Sequence, residues 1–475
     1  MRIAYLTGEY PRVTDTFIQR EVAALRTHGA TVETFSVRSP RLSQPVSSQQ
    51  QQERERTTYL LPTNVLTLLL AHVHLLLGYP KQYIRAFALA WETRQPGIRG
   101  TLYQLIYFLE AGLLANQIRK RNITHLHNHF GDSSCSVAML ASALGGFDYS
   151  FTLHGPGIFF EPYRWRLDAK IRRAKFVSCI SHFCRSQAMI FAPLETWSNL
   201  HIVHCGVDPQ QFDPTVSTVT HLSQSKELRR STTEPTVEPL PNAQRLLYVG
   251  RLAAAKGLPI LLQSLSTLKR TYPHIRLTVV GDGADRAELE AQTQATGLTE
   301  QVDFVGYQAP AAVQQYLQAT DVFVMSSFAE GVPVVLMEAM MAGRPVVATQ
   351  IAGVSELVEE GVNGFLVPPS DVHTLTERIQ TLLSDVALRQ RFGEAGKLKV
   401  SQEFNINCEA MKLYQLIASE TTVNPAEDSR FALVSQKAFE ASGHDGASAL
   451  SLHVTETMVA STPPHQPSFS QPLAK

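Results

Sequence analysis

Ser326-Ser-Phe-Ala-Glu330-Gly-Val-Pro333-Val-Val-Leu-Met-Glu338-Ala-Met-Met-Ala-Gly343-Arg-Pro345 follows directly on one apolar run, Val322-Phe-Val-Met325, and leads into another, Val346-Val-Ala348. A buried strand, a polar loop, a helix and a second buried strand fit this order, which is the repeating unit of a parallel α/β sheet. Pro333 suits the first turn of the helix and Gly343 its C-terminal stop. The free N–H groups of Gly331, Val332 and the first turn then lie where the strand ends, an arrangement suited to phosphate or sugar oxygens. Glu330 stands just before the helix and Glu338 within it. A carboxylate accepts hydrogen bonds from paired hydroxyls, so both suit a ribose or sugar diol. A capped helix with two surface glutamates is the plainer alternative.

The same alternation extends upstream. Leu246-Leu-Tyr-Val-Gly250 opens a run with further strands expected at residues 277–280 and 302–305. Tyr248-Val-Gly250-Arg251-Leu-Ala-Ala-Ala-Lys256-Gly257 ends a strand at a glycine and places two cations in one loop. Arg251 offers a planar fork and Lys256 a point charge, together able to neutralise a diphosphate. A solvated basic loop is the alternative. Val280-Gly281-Asp282-Gly283 and Val305-Gly306-Tyr307 are two more strand ends at glycine, the second suited to a base resting on backbone.

A first α/β run precedes this one. Strands are expected at residues 2–6, 31–37, 125–127, 150–153, 176–180 and 201–203, with helices between them. Residues 40–58, rich in Ser, Gln and charge, read as a loop. The apolar stretch 65–77 has helical spacing, is too short to cross a bilayer, and is apolar around most of its circumference. Such a helix wants cover on most sides, from the protein interior or from a membrane interface. His127-Asn-His129-Phe-Gly131 and Thr152-Leu-His154-Gly155 bring histidines to strand ends. The H-x-H pair also suits a metal, but no third ligand at a sensible spacing accompanies it, so no metal is expected.

The chain has 475 residues, enough for two or three domains, with 42 basic and 42 acidic residues. A zero formal charge gives no general attraction to nucleic acid. Five cysteines without a CxxC pair fit reduced, buried residues in a cytoplasmic protein. Two α/β halves joined by one polar linker give two Rossmann-like, doubly wound domains facing across a cleft, with ligands at the strand C-termini. The expected division is 1–208 as an N-terminal Rossmann-like domain and 209–242 as a linker or insertion. Residues 243–400 are expected as a C-terminal Rossmann-like domain, 401–419 as a helix, and 420–475 as a disordered tail.

Taken in order, Gly250-Arg251, Lys256-Gly257, Gly281-Asp-Gly283, Glu330-Gly-Val-Pro333, Glu338-Ala-Met and Gly343-Arg-Pro-Val-Val-Ala-Thr349 resemble glycosyltransferase family 4, the retaining GT-B enzymes. Gly353-Val-Ser-Glu356 and Gly361-Val-Asn-Gly364 continue the likeness. Tyr10-Pro11, Asp15-Thr-Phe-Ile18 through Glu21, the histidine motifs and His204-Cys-Gly-Val-Asp208 resemble the branch that builds colanic acid and other exopolysaccharides. The resemblance covers roughly residues 1–415, and implies that 1–208 bind the acceptor, that 243–400 bind the nucleotide-sugar, and that the helix at 401–419 packs back on the first domain. It implies that Arg251 and Lys256 hold the donor diphosphate, that Glu338 binds the ribose, and that Glu330 and the backbone of Gly331, Val332 and Pro333 contact the transferred sugar. His154 matches the cleft histidine that contacts the same sugar. Where the family has a double glycine, this chain has Gly8-Glu9-Tyr10-Pro11. The implied donor is a nucleotide-sugar, and the implied acceptor is a lipid-linked or polysaccharide glycan at the inner face of the membrane, with peripheral membrane contact and no metal. A nucleotide-sugar epimerase and a non-catalytic binding scaffold are the competing functions.

Overall fold

Parallel strands buried on both faces read as continuous apolar runs, and the strands of this chain do so: β11 (Val322–Met325) and β12 (Val346–Thr349) are buried at every position. The computed structural model describes residues 1–12, 14–40, 48–212 and 244–419. Among these, thirteen strands form two sheets in which every pair is parallel.

The first sheet holds β1 (Arg2–Glu9), β2 (Thr31–Arg38), β3 (Thr58–Leu61), β4 (His125–His129), β5 (Asp148–Leu153), β6 (Val177–Cys179) and β7 (Leu200–Ile202), in the order β3-β2-β1-β4-β5-β6-β7. The second holds β8 (Arg245–Val249), β9 (Arg276–Val280), β10 (Val302–Gly306), β11, β12 and β13 (Gly364–Val367), in the order β10-β9-β8-β11-β12-β13. Each is the doubly wound pattern expected from the alternating sequence, and residues 1–419 form one compact unit containing both lobes.

Helix α1 (Thr16–Thr27) shows how the faces are divided. Ile18, Val22 and Leu25 lie at helical spacing and are fully buried with Ile3 and Tyr5 of β1. The last described helix, Ile406–Ala418, returns to this lobe and adds Ile406, Ala410, Leu413 and Ile417 to the same cluster. Val207 N donates to Phe404 O at 3.0 Å, which ties the end of the first lobe to the approach of that helix.

Two expectations need correction. Residues 48–56 are helix α2 and residues 58–61 are the edge strand β3, not part of a loop. The composition misleads because α2 is held by polar contacts: Glu53 takes the Tyr10 hydroxyl at 3.3 Å and an ion pair from Arg26. Helix α3 (Val65–Gly78) lacks the cover its apolar circumference calls for, since only Ala71, His72 and Leu75 are buried. Of the expected linker or insertion at 209–242, Pro209–Phe212 is a 3-10 turn and the rest lies outside the described residues, as does the expected tail at 420–475.

Candidate functional site

Each sheet reverses its strand order once, between β1 and β4 in the first and between β8 and β11 in the second. Chains leaving such neighbours turn to opposite faces, and ligands of open α/β sheets bind in the gap at the strand C-termini. In the second lobe that gap is flanked by the loops after β8 and β11, which carry Arg251, Lys256 and Glu330.

The two loops are fastened to one another through backbone. Gly257 has a φ of +61°, and a Cβ there would lie 2.0 Å from Ser326 O. Only glycine allows so close an approach. Ser326 Oγ donates to Gly257 O at 2.9 Å, and Phe328 N donates to Ala255 O at 2.8 Å. This fastening brings Lys256 Nζ within 2.5 Å of Glu330 Oε1, which also accepts from Ser327 Oγ at 2.7 Å. Arg251 is exposed and has no ion pair among the described residues. The N–H groups of Gly331 and Val332 carry no hydrogen bond among the described residues, so backbone donors lie free beside the carboxylate. Beneath them is the buried Tyr248 phenol, whose pKa burial pushes up, with Glu330 adding to the shift.

Gly283 and Gly306 are brought to the same edge but act on the backbone. A Cβ on Gly283 would lie 2.1 Å from Leu252 O, so this glycine lets the loop after β9 pack on the loop that carries Arg251. Gly306, with φ +72°, accepts from Gly281 N at 2.8 Å. Pro333 caps the helix Val334–Met341, and Glu338 projects from it to pair with Arg20 of α1 at 2.5 Å.

On the facing lobe, His154 follows β5 and is half-buried in a stack of buried polar groups. His154 Nε2 lies 2.7 Å from His129 Nδ1, and His129 Nε2 lies 3.1 Å from Glu21 Oε1 of α1. Tyr5 donates to the same Glu21 oxygen at 2.7 Å. Burial holds His129 down to about 3 and His127 and His154 well below the usual histidine range, with His129 lowering both further. Burial also raises the Glu21 carboxyl. These imidazoles are therefore neutral at neutral pH.

A third group does accompany the H-x-H pair, contrary to the spacing argument. Glu21, His127 and His129 each place a ligand-type atom within 4.8 Å of the others. Glu21 comes from a different element, which spacing alone does not reveal. Both His127 nitrogens are engaged by hydroxyls, with Ser150 Oγ at 2.8 Å and Thr152 Oγ1 at 2.9 Å, so the trio reads as a hydrogen-bonded stack.

The lobes meet at the site. A Cβ on Gly331 would lie 2.1 Å from the His154 carbonyl oxygen. Glu356 reaches across to accept from the N–H groups of His182 and Phe183, both at 2.8 Å, and so caps the helix His182–Phe191. Arg20, Glu21 and Glu356 were given no role by the residue pattern. Glu21 and Glu356 stand inside motifs that carry the family resemblance, but nothing local marks their partners.

Two facing parallel sheets with a cation–carboxylate pair and free backbone N–H groups at the shared edge define a GT-B type architecture. Two family models match the chain: "Glycosyltransferase Family 4" over residues 16–211 and "Glycosyl transferases group 1" over residues 232–399. Between them they account for most of the sequence, and the chain belongs to glycosyltransferase family 4. Among curated relatives, the α-D-kanosaminyltransferase of Streptomyces kanamyceticus is 32% identical over 149 residues, covering 31% of this chain and 39% of that protein. The amylovoran biosynthesis glycosyltransferase AmsK of Erwinia amylovora is 28% identical over 224 residues, covering 46% of this chain and 50% of that protein. The matched segments thus span half or less of those relatives. Anabaena HepE, solved in complex with UDP-glucose, shares the fold with a TM-score of 0.64 at 20% identity, covering 88% of this chain and all of that one.

Proposed function

We propose that this protein transfers a sugar, with retention of anomeric configuration, from a nucleotide-sugar donor to a lipid-linked or polysaccharide acceptor in exopolysaccharide or cell-envelope glycan synthesis. The observation that carries this reading is the Lys256–Glu330 pair lying beside free Gly331 and Val332 N–H groups and facing His154 across the cleft. In this reading Arg251 and Lys256 take the donor diphosphate and stabilise the charge that grows on it as the glycosidic C–O bond breaks, the role a metal plays in other transferases. Glu330 is then released from Lys256 to accept from sugar hydroxyls, with the backbone donors at Gly331 and Val332 alongside. Glu338 takes the ribose diol.

Among the described residues no carboxylate stands out as a nucleophile, and a same-face substitution needs none. The acceptor oxygen bonds to the anomeric carbon on the face the phosphate leaves, and the departing phosphate oxygen takes the acceptor proton. Contact between the lobes excludes water, which limits hydrolysis of the donor. The likeness to AmsK, an amylovoran biosynthesis glycosyltransferase, and to HepE, solved in complex with UDP-glucose, supports this substrate class. A lipid-linked acceptor would bring the enzyme to the cytoplasmic face of the membrane, and no helix among the described residues is long and apolar enough to cross one.

Saturation-transfer NMR against UDP-, GDP- and ADP-sugars tests the proposal. Selective binding of one donor that is lost in Lys256→Ala supports it and names the donor for an acceptor search. Failure of the folded protein to bind any of them sinks it. Conversion of the donor without an acceptor assigns the site to an epimerase instead.

A further inference from the structure

Three consecutive helices between β3 and β4 carry an apolar surface that no other part of the described fold covers: α3, α4 (Pro80–Glu92) and α5 (Ile98–Lys120). The inner face of α3 is narrow. Its His72 sits against α5 at Gly112, where a Cβ would lie 2.2 Å from the imidazole Nε2. The outer face carries Leu66, Leu69, Leu70, Val73, Leu76 and Leu77, each at least 43% exposed. Helices α4 and α5 continue it, since Leu76, Ile84, Phe87, Leu105 and Leu109 line one groove of about 530 Å³. A contiguous apolar surface of this extent on a water-soluble face marks an interaction site.

The charge around it selects the occupant. Residues 62–109 contain Lys81, Arg85, Arg94 and Arg99 against the single acid Glu92, in a chain whose total charge is zero. At the rim, the Arg94 guanidinium lies 3.9 Å from the ring centre of Trp91, and Arg99 lies 5.6 Å from that of Tyr103. Trp91 and Tyr103 are themselves about half exposed. Leucines flanked by basic groups and by Trp and Tyr match the layered polarity of a bilayer interface with anionic headgroups. A second copy of the chain meeting this face across a two-fold axis would bring like charges together. At about 1.5 Å per residue α3 is about 21 Å long, short of the ~30 Å hydrocarbon core, so it lies in the plane of the interface.

We propose that the α3–α4–α5 face docks on an anionic lipid bilayer, with the outer leucines of α3 in the acyl boundary and the basic rim among the headgroups. This rests on the proposed work at the membrane and names the face and the lipid that would hold the enzyme there; its test does not depend on the transfer reaction. The face is also joined to the cleft. Gln95, in the turn between α4 and α5, donates to Tyr163 O at 2.9 Å and to Arg164 O at 2.7 Å, on the segment that leaves the cleft after His154. That segment exposes Phe160 and Tyr163 as well.

Flotation of the full chain with vesicles of phosphatidylcholine alone, or mixed with phosphatidylglycerol, tests the assignment. The expected result is binding to the mixed vesicles, weakened roughly tenfold or more in the double variant Leu66→Glu/Leu70→Glu. Lys81→Glu/Arg85→Glu should abolish the preference for anionic lipid. Thermal unfolding checks that each variant folds, and Leu69→Gln/Leu77→Gln replaces the first should the glutamates disrupt α3. A chain that floats with neither vesicle overturns the proposal, as does a folded α3 variant that floats like the parent. A dimer that these substitutions split, with vesicle binding unchanged, would assign the face to a second copy.

Discussion

Arg20 on α1 and Glu338 on the helix Val334–Met341 form a 2.5 Å ion pair that joins the two lobes, with 14% and 15% of their side chains exposed. Glu338 is also the carboxylate that the family resemblance gives to the donor ribose. On the proposed reading the chain's own arginine holds the place of a diol, and donor binding would exchange one partner for the other.

This exchange sets the first expectation. Removing Arg20 frees Glu338 before the donor arrives, so Arg20→Ala should tighten donor binding by about the worth of a half-buried pair, ~1 kcal/mol or several-fold in Kd. Glu338→Ala should weaken it. Isothermal titration with the donor reads both. Weaker binding in Arg20→Ala would mean that the arginine itself contacts the donor.

Gly331 packs directly on the facing lobe at His154. An added methyl at 2.1 Å from the His154 carbonyl oxygen must push the two loops apart. Gly331→Ala should therefore lower kcat by about a hundredfold, the scale of a displacement near 1 Å at a reacting centre, while the melting temperature changes little. Normal turnover at saturating donor would show that this contact is absent during reaction.

Glu21 supports His154 through His129 and does not face the cleft's cations. Glu21→Ala leaves the buried Tyr5 hydroxyl without an acceptor, which should cost about 1–3 kcal/mol of stability. Glu21→Gln keeps an acceptor oxygen and should lose much less. If the stack orients His154, the alanine variant should lose kcat with donor KM nearly unchanged. Equal unfolding midpoints in urea for both variants and the parent would remove Glu21 from the stack.

Acid should destabilise the fold from a little below neutrality. His125 and His129 are each held down to about 3, and His127 and His154 well below the usual value, whereas an unfolded histidine titrates near about 6.5. Between those values the unfolded chain binds more protons than the native one. Stability is therefore full above about pH 6.5 and falls as pH drops, by up to roughly 1.4 kcal/mol per pH unit for each such histidine. The raised Glu21 carboxyl acts in the opposite sense, since the native state takes up its proton first, and offsets part of the loss. Urea midpoints measured from about pH 7.5 to about pH 5 should fall steeply. A flat profile would mean these imidazoles are hydrated.

The loops that build the second-lobe site were legible because their signals are local. A strand ending at Gly250, two cations within one turn, and Pro333 and Gly343 bracketing a helix are all features of neighbouring residues. The first-lobe stack was only half legible. His127, His129 and His154 announce themselves at strand ends, but Glu21 lies on α1 and meets them only because β1 and β4 are adjacent at the reversal of strand order. Helix α2 was hidden because its polar, charged composition resembles a loop until Glu53 finds Arg26 and Tyr10, and edge strand β3 because four residues are too few to show a strand's period.

By itself the sequence determined the alternation of strands and helices, the two-lobed parallel architecture, and the loops that carry the cations and carboxylates. Periodicity and the special backbones of glycine and proline act over a few residues, so no partner need be known. The tertiary structure decided which charges are already paired, as with Arg20 and Glu338, and which lobes touch, as at Gly331 and His154. It also decided that the outer leucines of α3 stay uncovered. An apolar stripe shows that a face needs a partner, but burial is set by residues distant in the chain, and only the folded molecule brings those residues near or leaves the face bare.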